Sequence, residues 1–318
     1  MLSTTIRFLA CALVLAVPVP TLAQTTPLTP MRIANLGYTE ASALPVYAQQ
    51  AGIFKKYGID ATVTTFNGGG AILAAIAGGS LDAGFSNITS AVSAIQRGIP
   101  VVVLTPANLT STGHADALLM KARGSKLKTG ADLNGKIIAV TTLGGTLQLG
   151  AEAWIDKNGG DSKTSHFVEI PTSNMAAALK QGRIDAAMIS EPFLTEEKAD
   201  IEPLADAFGA IAPQWISAVF VASKAWVTAN PDAARRFVAA MHETGRWANT
   251  HPADTAKILA PLSGVPLPTF AAMERTTYTD QLTRALMQPG IDAAARYGAL
   301  KAPFDTNEIV TAAAPYVK

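Results

Sequence analysis

Thiol chemistry is almost absent from this chain. Its 318 residues include one cysteine, Cys11, which sits inside the apolar run 8–17. That run follows Arg7 and leads through Pro18 and Pro20 to a small-residue stretch ending at Ala23, the pattern of a secretory signal peptide (1–23) cleaved near Ala23. Once the leader is removed no thiol remains, which excludes disulfides, thiolate nucleophiles and cysteine-ligated metals. The apolar run is also far shorter than the roughly 20 residues that cross a bilayer. A charge excess is missing too: 25 Lys and Arg stand against 24 Asp and Glu, and Arg7 leaves with the leader. A neutral mature chain gives no support for nucleic-acid or membrane-surface binding. The histidines His114, His166, His242 and His251 are scattered without metal-ligand spacing. There is no Gly-x-Ser-x-Gly elbow. The glycines at 68–70 lack the Lys-Ser/Thr of a phosphate loop and do not fit Gly-x-Gly-x-x-Gly. No cofactor, no metal and no catalytic residue is expected.

What is present is an alternation of strand and helix patterns. After a Thr/Pro linker (24–30), residues 31–36 read as a buried strand, a helix runs from near Leu44 to Gly58, and 59–66 is a second strand. The stretch 61–96 then gives strand, glycine turn, helix, strand and helix, which predicts a parallel α/β sheet with right-handed crossovers. The theme recurs downstream. Residues 75–83 (AIAGGSLDA) and 178–186 (ALKQGRIDA) match at a constant offset, each ending a helix at a glycine and opening a strand with Asp-Ala. Two copies of one unit predict two similar lobes. Residues 215–223 read as a strand returning to the first lobe, and Ala-rich helices after Asn230 are expected to pack behind that lobe and brace it.

The chemistry concentrates at polar, glycine-rich strand ends that each feed a helix: 37–40, 67–70, Ser86-Asn87, 142–146, Ser173-Asn174 and Ser190-Glu191. In parallel α/β sheets ligands bind at this carboxyl edge, where helix N-termini present free N–H donors. Each such terminus favours a nearby anion by about 0.3–1 kcal/mol.

The segments 52–60 (GIFKKYGID), 68–71, 79–83, 182–186 and Glu191-Pro192 together resemble the periplasmic substrate-binding proteins of ABC importers, in the nitrate/sulfonate/taurine class that shares its domain with thiamine-pyrimidine-precursor proteins. The resemblance implies a type II periplasmic-binding fold, with parallel-rich α/β lobes at 31–115 plus 217–318 and at 116–216. Two interlobe strands would join them near 113–118 and 211–218. It implies ligand contacts from Tyr38, Thr39 and Glu40, from Asn67 and Gly70, from Ser86 and Asn87, from Thr142, Gly144, Gly145 and Thr146, and from Glu191. Tyr38 and Trp215 are the aromatics that could stack on a planar solute or pack between the lobes. Glu191 has a rival role as a hinge brace or helix cap. The implied protein is a monomeric periplasmic receptor that delivers a small, anionic solute to an ABC permease. A biosynthetic enzyme of the same fold is the alternative, but its family carries a cysteine-rich motif and an active histidine that this chain does not match.

Overall fold

The computed structural model describes residues 28–114 and 116–317; the expected leader and its cleavage point lie outside them. In the first lobe β1 (Thr29–Leu36) leads to α1 (Leu44–Gln50), α2 (Ile53–Lys56) and β2 (Ile59–Phe66). There follow α3 (Gly69–Ala77), β3 (Ala83–Asn87), α4 (Ile88–Gln96) and β4 (Val101–Pro106). The helix expected over 44–58 is two helices, because Gly52 turns into the left-handed region at φ 73° between them. The strand β5 (Asn108–Ser111) carries the chain across to the second lobe.

That lobe holds β6 (Ala117–Ala122), β7 (Ile137–Val140), α5 (Thr146–Lys157), β8 (His166–Glu169) and α6 (Thr172–Lys180), then β9 (Ala186–Ser190), α7 (Phe193–Glu196) and β10 (Ile201–Ala205). The return runs through β11 (Gln214–Ile216) into β12 (Ala218–Ser223). The remainder is α8 (Lys224–Ala229), α9 (Pro231–Thr250), α10 (Pro252–Ser263), α11 (Leu267–Ala272), β13 (Thr277–Tyr278), α12 (Arg284–Arg296) and α13 (Asn307–Val317).

The two main sheets repeat one plan. The first has the order β2-β1-β3-β12-β4 and the second β10-β6-β9-β7-β8, which is the same arrangement read from the other edge. In each, three strands are parallel and a fourth, β12 or β6, runs antiparallel between the parallel set and the last strand. The sheets are therefore mixed, and parallel only through the repeated unit. Central strands β3 and β9 are buried along their whole length, which fits their runs of small and apolar residues between helix layers.

The sequence echo corresponds to one structural lock used twice. Gly79 and Gly182 take positive φ at 74° and 65° and end α3 and α6. The following Asp then accepts from the backbone of the neighbouring strand: Arg32 N–H donates to Asp82 at 2.7 Å and Ile137 N–H to Asp185 at 2.9 Å.

A third, antiparallel sheet, β11-β5-β13, forms the hinge. Two of its strands cross between lobes, and β13 adds a short third strand against β5 at Thr277↔Leu109 and Tyr278↔Asn108. The segment 215–223, expected as one strand, is two: Trp215 pairs with Thr110 in the hinge, while Val219 pairs with Ser86 in the first lobe. Behind the first lobe α9 packs on α1, and Phe237 lies between Phe54 and Phe220 at ring separations of 6.2 and 5.9 Å. By contrast α12 rests on β11 and touches both α4 and α5, so it spans the lobes rather than bracing one. Its Gly290 lies so close to the Trp215 ring that a Cβ would come within 2.7 Å.

Candidate functional site

A cavity of about 180 Å³ lies between the lobes where the strand ends meet. From the first lobe Tyr38, Thr39, Asn67 and Asn87 reach it; from the second, Thr142, Gly145 and Thr146. Gly37, at φ 58°, lets the chain leave β1 and turn back, and Asn35 fixes the turn by donating from Nδ2 to the Gly37 carbonyl at 2.6 Å. Asn87 caps α4: its Oδ1 accepts from Ser90 N–H and Thr89 Oγ1, both at 2.8 Å. Its amide nitrogen is thereby left facing Gly145 of the other lobe.

Three helices that start at the cavity have no side-chain cap. They are α3 after Gly68, α5 after Gly145 and α6 after Pro171, and Asn67, Gly145, Pro171 and Thr172 line the wall. Apart from Gly69 N–H, which reaches Thr142 Oγ1 at 3.4 Å, no side chain caps the first turns, and such helix ends suit an anionic solute. Among the described residues the lining contains no Lys, Arg or His, and Asp116 is its one charged side chain. No group of three or more His, Cys, Asp or Glu among the described residues is placed to hold a metal ion.

Glu40, Gly70, Ser86, Gly144, Glu191 and Trp215 lie outside this lining. The Glu40 carboxylate is buried and takes the Arg275 guanidinium on Oε1, with Nε at 2.7 Å, and Thr276 N–H on Oε2 at 2.9 Å. Burial outweighs these partners and holds the Glu40 carboxyl above its ordinary range. Glu191 caps α7, accepting from Thr195 Oγ1 at 2.7 Å and Thr195 N–H at 3.1 Å, and burial pushes it up as well. Its backbone joins the lobes, since its carbonyl accepts from Glu40 N–H at 3.1 Å. Gly70 is exposed in the first turn of α3, and Ser86 donates to the Asn87 carbonyl at 3.1 Å. Trp215 is fully buried beneath the hinge, edge-on to Phe208 at 5.4 Å.

The lobes are drawn together across the cavity. Gly69 N–H donates to Thr142 Oγ1 at 3.4 Å, Thr89 Oγ1 to the Gly144 carbonyl at 3.2 Å, and Thr269 Oγ1 to Glu196 at 2.6 Å. Gly144 is itself held by its N–H donating to Gln148 Oε1 at 2.8 Å.

Sequence patterns did not single out Asn108, Asp116 and Ser217, which line the cavity from the crossing segments. Asn108 opens the polar segment after β4, but that position gains meaning only when the hinge strands are seen to floor a cleft. Asn108 Nδ2 donates to Ser217 Oγ at 3.1 Å, Thr110 Oγ1 donates to the same atom at 3.0 Å, and Asn108 Oδ1 is buried without a partner.

A model of the NMT1-like family matches residues 24–263. A protein of Brucella abortus (strain 2308) named as a binding protein is 25% identical over 293 residues, 88% of this chain and 89% of the relative. Among solved structures, the periplasmic aliphatic sulphonate binding protein SsuA from Escherichia coli superposes with a TM-score of 0.69 at 20% identity, covering 88% of this chain and 96% of that one. The periplasmic nitrate-binding protein NrtA from Synechocystis PCC 6803 gives 0.73 at 18% identity, over 89% and 85%. At these identities the two structures speak for the fold.

Proposed function

The chain belongs to the NMT1-like family and is a periplasmic-type substrate-binding protein of the nitrate/sulfonate/taurine class of ABC importers, and from that premise we propose that it captures one small solute bearing an anionic group and delivers it to an ABC permease. The observation that carries the anionic group is the convergence of three uncapped helix N-termini, one from the first lobe and two from the second, on a cavity whose wall holds no cationic side chain. Helix dipoles and free N–H groups attract an anion without arginine. Because both lobes contribute, the solute binds the closed form better than the open one, and that difference is what drives closure. Tyr38, Thr39, Asn67, Asn87, Thr142, Gly145 and Thr146 are the contacts of this reading. Glu40 and Glu191 act on the hinge, Gly144 on closure, and Trp215 on packing. The relatives of the fold named for sulphonate and nitrate are consistent with an anionic solute. The enzyme alternative calls for a cysteine-rich motif and an active histidine, and the described cleft lining offers neither residue type.

Cleavage near Ala23 and a monomeric state complete the proposal; N-terminal sequencing of the exported protein and light scattering check them. The central test is a melting screen of the mature protein against sulfonates, nitrate, carboxylates and pyrimidines. A solute bound at micromolar affinity, about −8 kcal/mol, raises the melting temperature by linkage at millimolar concentration. Absence of any shift across the set overturns the receptor reading.

A further inference from the structure

The floor of the cleft carries a carboxylate without a counter-cation and an amide oxygen without a partner among the described residues. Asp116 is 8% exposed and lines the cavity. Its Oδ2 accepts from Thr276 Oγ1, and no cation among the described residues pairs with it. Arg275, which precedes Thr276, is spent: it donates to Glu40, to the Pro252 carbonyl at 2.9 Å and to Thr255 Oγ1 at 2.6 Å. His114 faces Glu274 at 3.2 Å. Glu274, Glu40 and Glu191 surround the same corner, so negative groups outnumber positive ones there. Asn108, 4% exposed and also in the lining, keeps an unpartnered Oδ1, while one N–H of its Nδ2 donates to Ser217.

A desolvated carboxylate and an orphan amide oxygen are both costly unless something donates to them. Among the described residues Asp116 has the Thr276 hydroxyl but no counter-cation, and nothing donates to Asn108 Oδ1. We propose that the solute supplies the donor: besides its anionic group it carries an ammonium, amidine or amino-heterocycle nitrogen whose N–H groups are read by Asp116 and Asn108, with Asp116 as counter-charge. The ligand is thus dipolar, and Asp116 selects it against anions of the same size that lack the nitrogen. This inference rests on the receptor reading and deepens it. Burial, with a smaller push from Glu274, raises the Asp116 carboxyl; a cation seated against it reverses that tendency. The competing arrangement, a protonated Asp116 donating to a plain anion, makes the opposite prediction about selectivity.

The test is calorimetry on the mature protein with matched pairs that differ only at the nitrogen: taurine against isethionate, β-alanine against hydracrylate, and an aminopyrimidine against the methylpyrimidine of the same shape. The nitrogen-bearing member binds at least about tenfold tighter in the pairs that bind. Asp116→Asn removes that preference, lowering the affinity of the nitrogen-bearing member by about tenfold or more while leaving the other within about twofold. Equal or tighter binding of the nitrogen-free member by the native protein overturns the inference and leaves the receptor reading standing. Binding of no member of any pair counts against the receptor reading and takes the inference with it. The native-protein comparison decides the matter even where Asp116→Asn fails to fold.

Discussion

Glu152 is the residue whose titration the fold alters most usefully. It lies on the buried side of α5, with Oε1 accepting from Gln148 Nε2 at 2.8 Å and Oε2 buried without a partner. Burial, with a smaller push from Asp156, raises its carboxyl to about 7 against an ordinary value of 4.5. Between those values the folded chain binds more protons here than the unfolded chain, so stability falls as pH rises through the window and levels off above it. The loss is on the order of 3 kcal/mol. Glu152→Gln removes it: the variant is more stable than the native protein at about pH 8 and nearly equal at about pH 4, measured by thermal melts across pH. A native profile that is flat over this window overturns the assignment. The sequence signalled none of this, because the i, i+4 spacing of Gln148 and Glu152 looks like a solvated helix face until Phe208, from the segment between β10 and β11, is found packed over α5 at Gly150. Glu40 and Glu191 pose the converse case. Their positions at strand ends were legible; their partners Arg275 and Thr195, one of them more than two hundred residues away, were not.

At the scale of elements the repeated lock is the feature that local sequence displays best. Helix, positive-φ glycine and Asp-Ala strand opening are all short-range, and both copies formed as expected. Asp82 is the stronger of the two, because its carboxylate also receives the Arg32 guanidinium at 2.7 Å and its side chain is nearly buried. Asp185 has in addition only Lys136 at 3.4 Å, with both side chains more than a third exposed. Asp82→Ala therefore costs about 1–3 kcal/mol and Asp185→Ala about 1 kcal/mol or less, read from urea midpoints at unchanged slope. An equal cost for the two sinks this account of the difference. Where sequence failed at this scale, the cause was long-range pairing. The run 215–223 is continuous in β-propensity, yet its halves serve different sheets because β5 and β3 compete for it from opposite sides of Ser217. Strand direction was hidden for the same reason: β6 and β12 look like any other buried strand, and only the crossings make them antiparallel.

On the scale of the whole molecule the cavity is a product of topology. The strand-end loops of each lobe could be located by their glycines and hydroxyls, but the hinge residues Asn108, Asp116 and Ser217 became part of the site only through the way the lobes are joined. Closure itself is testable at Gly145. A Cβ there would stand 3.0 Å from Asn87 Nδ2 of the opposite lobe and 3.0 Å from the Thr142 carbonyl of its own turn, so Gly145→Val crowds both the line of approach and the turn itself. Affinity for the cognate solute falls at least about tenfold, ~1.4 kcal/mol, solution scattering shows less compaction on ligand addition, and the crowding against the Thr142 carbonyl lowers the melting temperature of the free protein as well. Full compaction with native affinity overturns the role given to this contact.

The hinge sheet also sets an order of events. A ribbon of antiparallel strands bends about one axis far more readily than it shears, and β13 thickens that ribbon on one side only. Displacement during a hinge opening grows with distance from the axis, so the floor at Asn108 and Asp116, set in and beside the connecting strands, moves less than the 142–146 turn on the wall. An arriving solute therefore meets a finished floor inside an unfinished wall: it is inspected first by the part that moves less, and detained afterwards by the part that moves more.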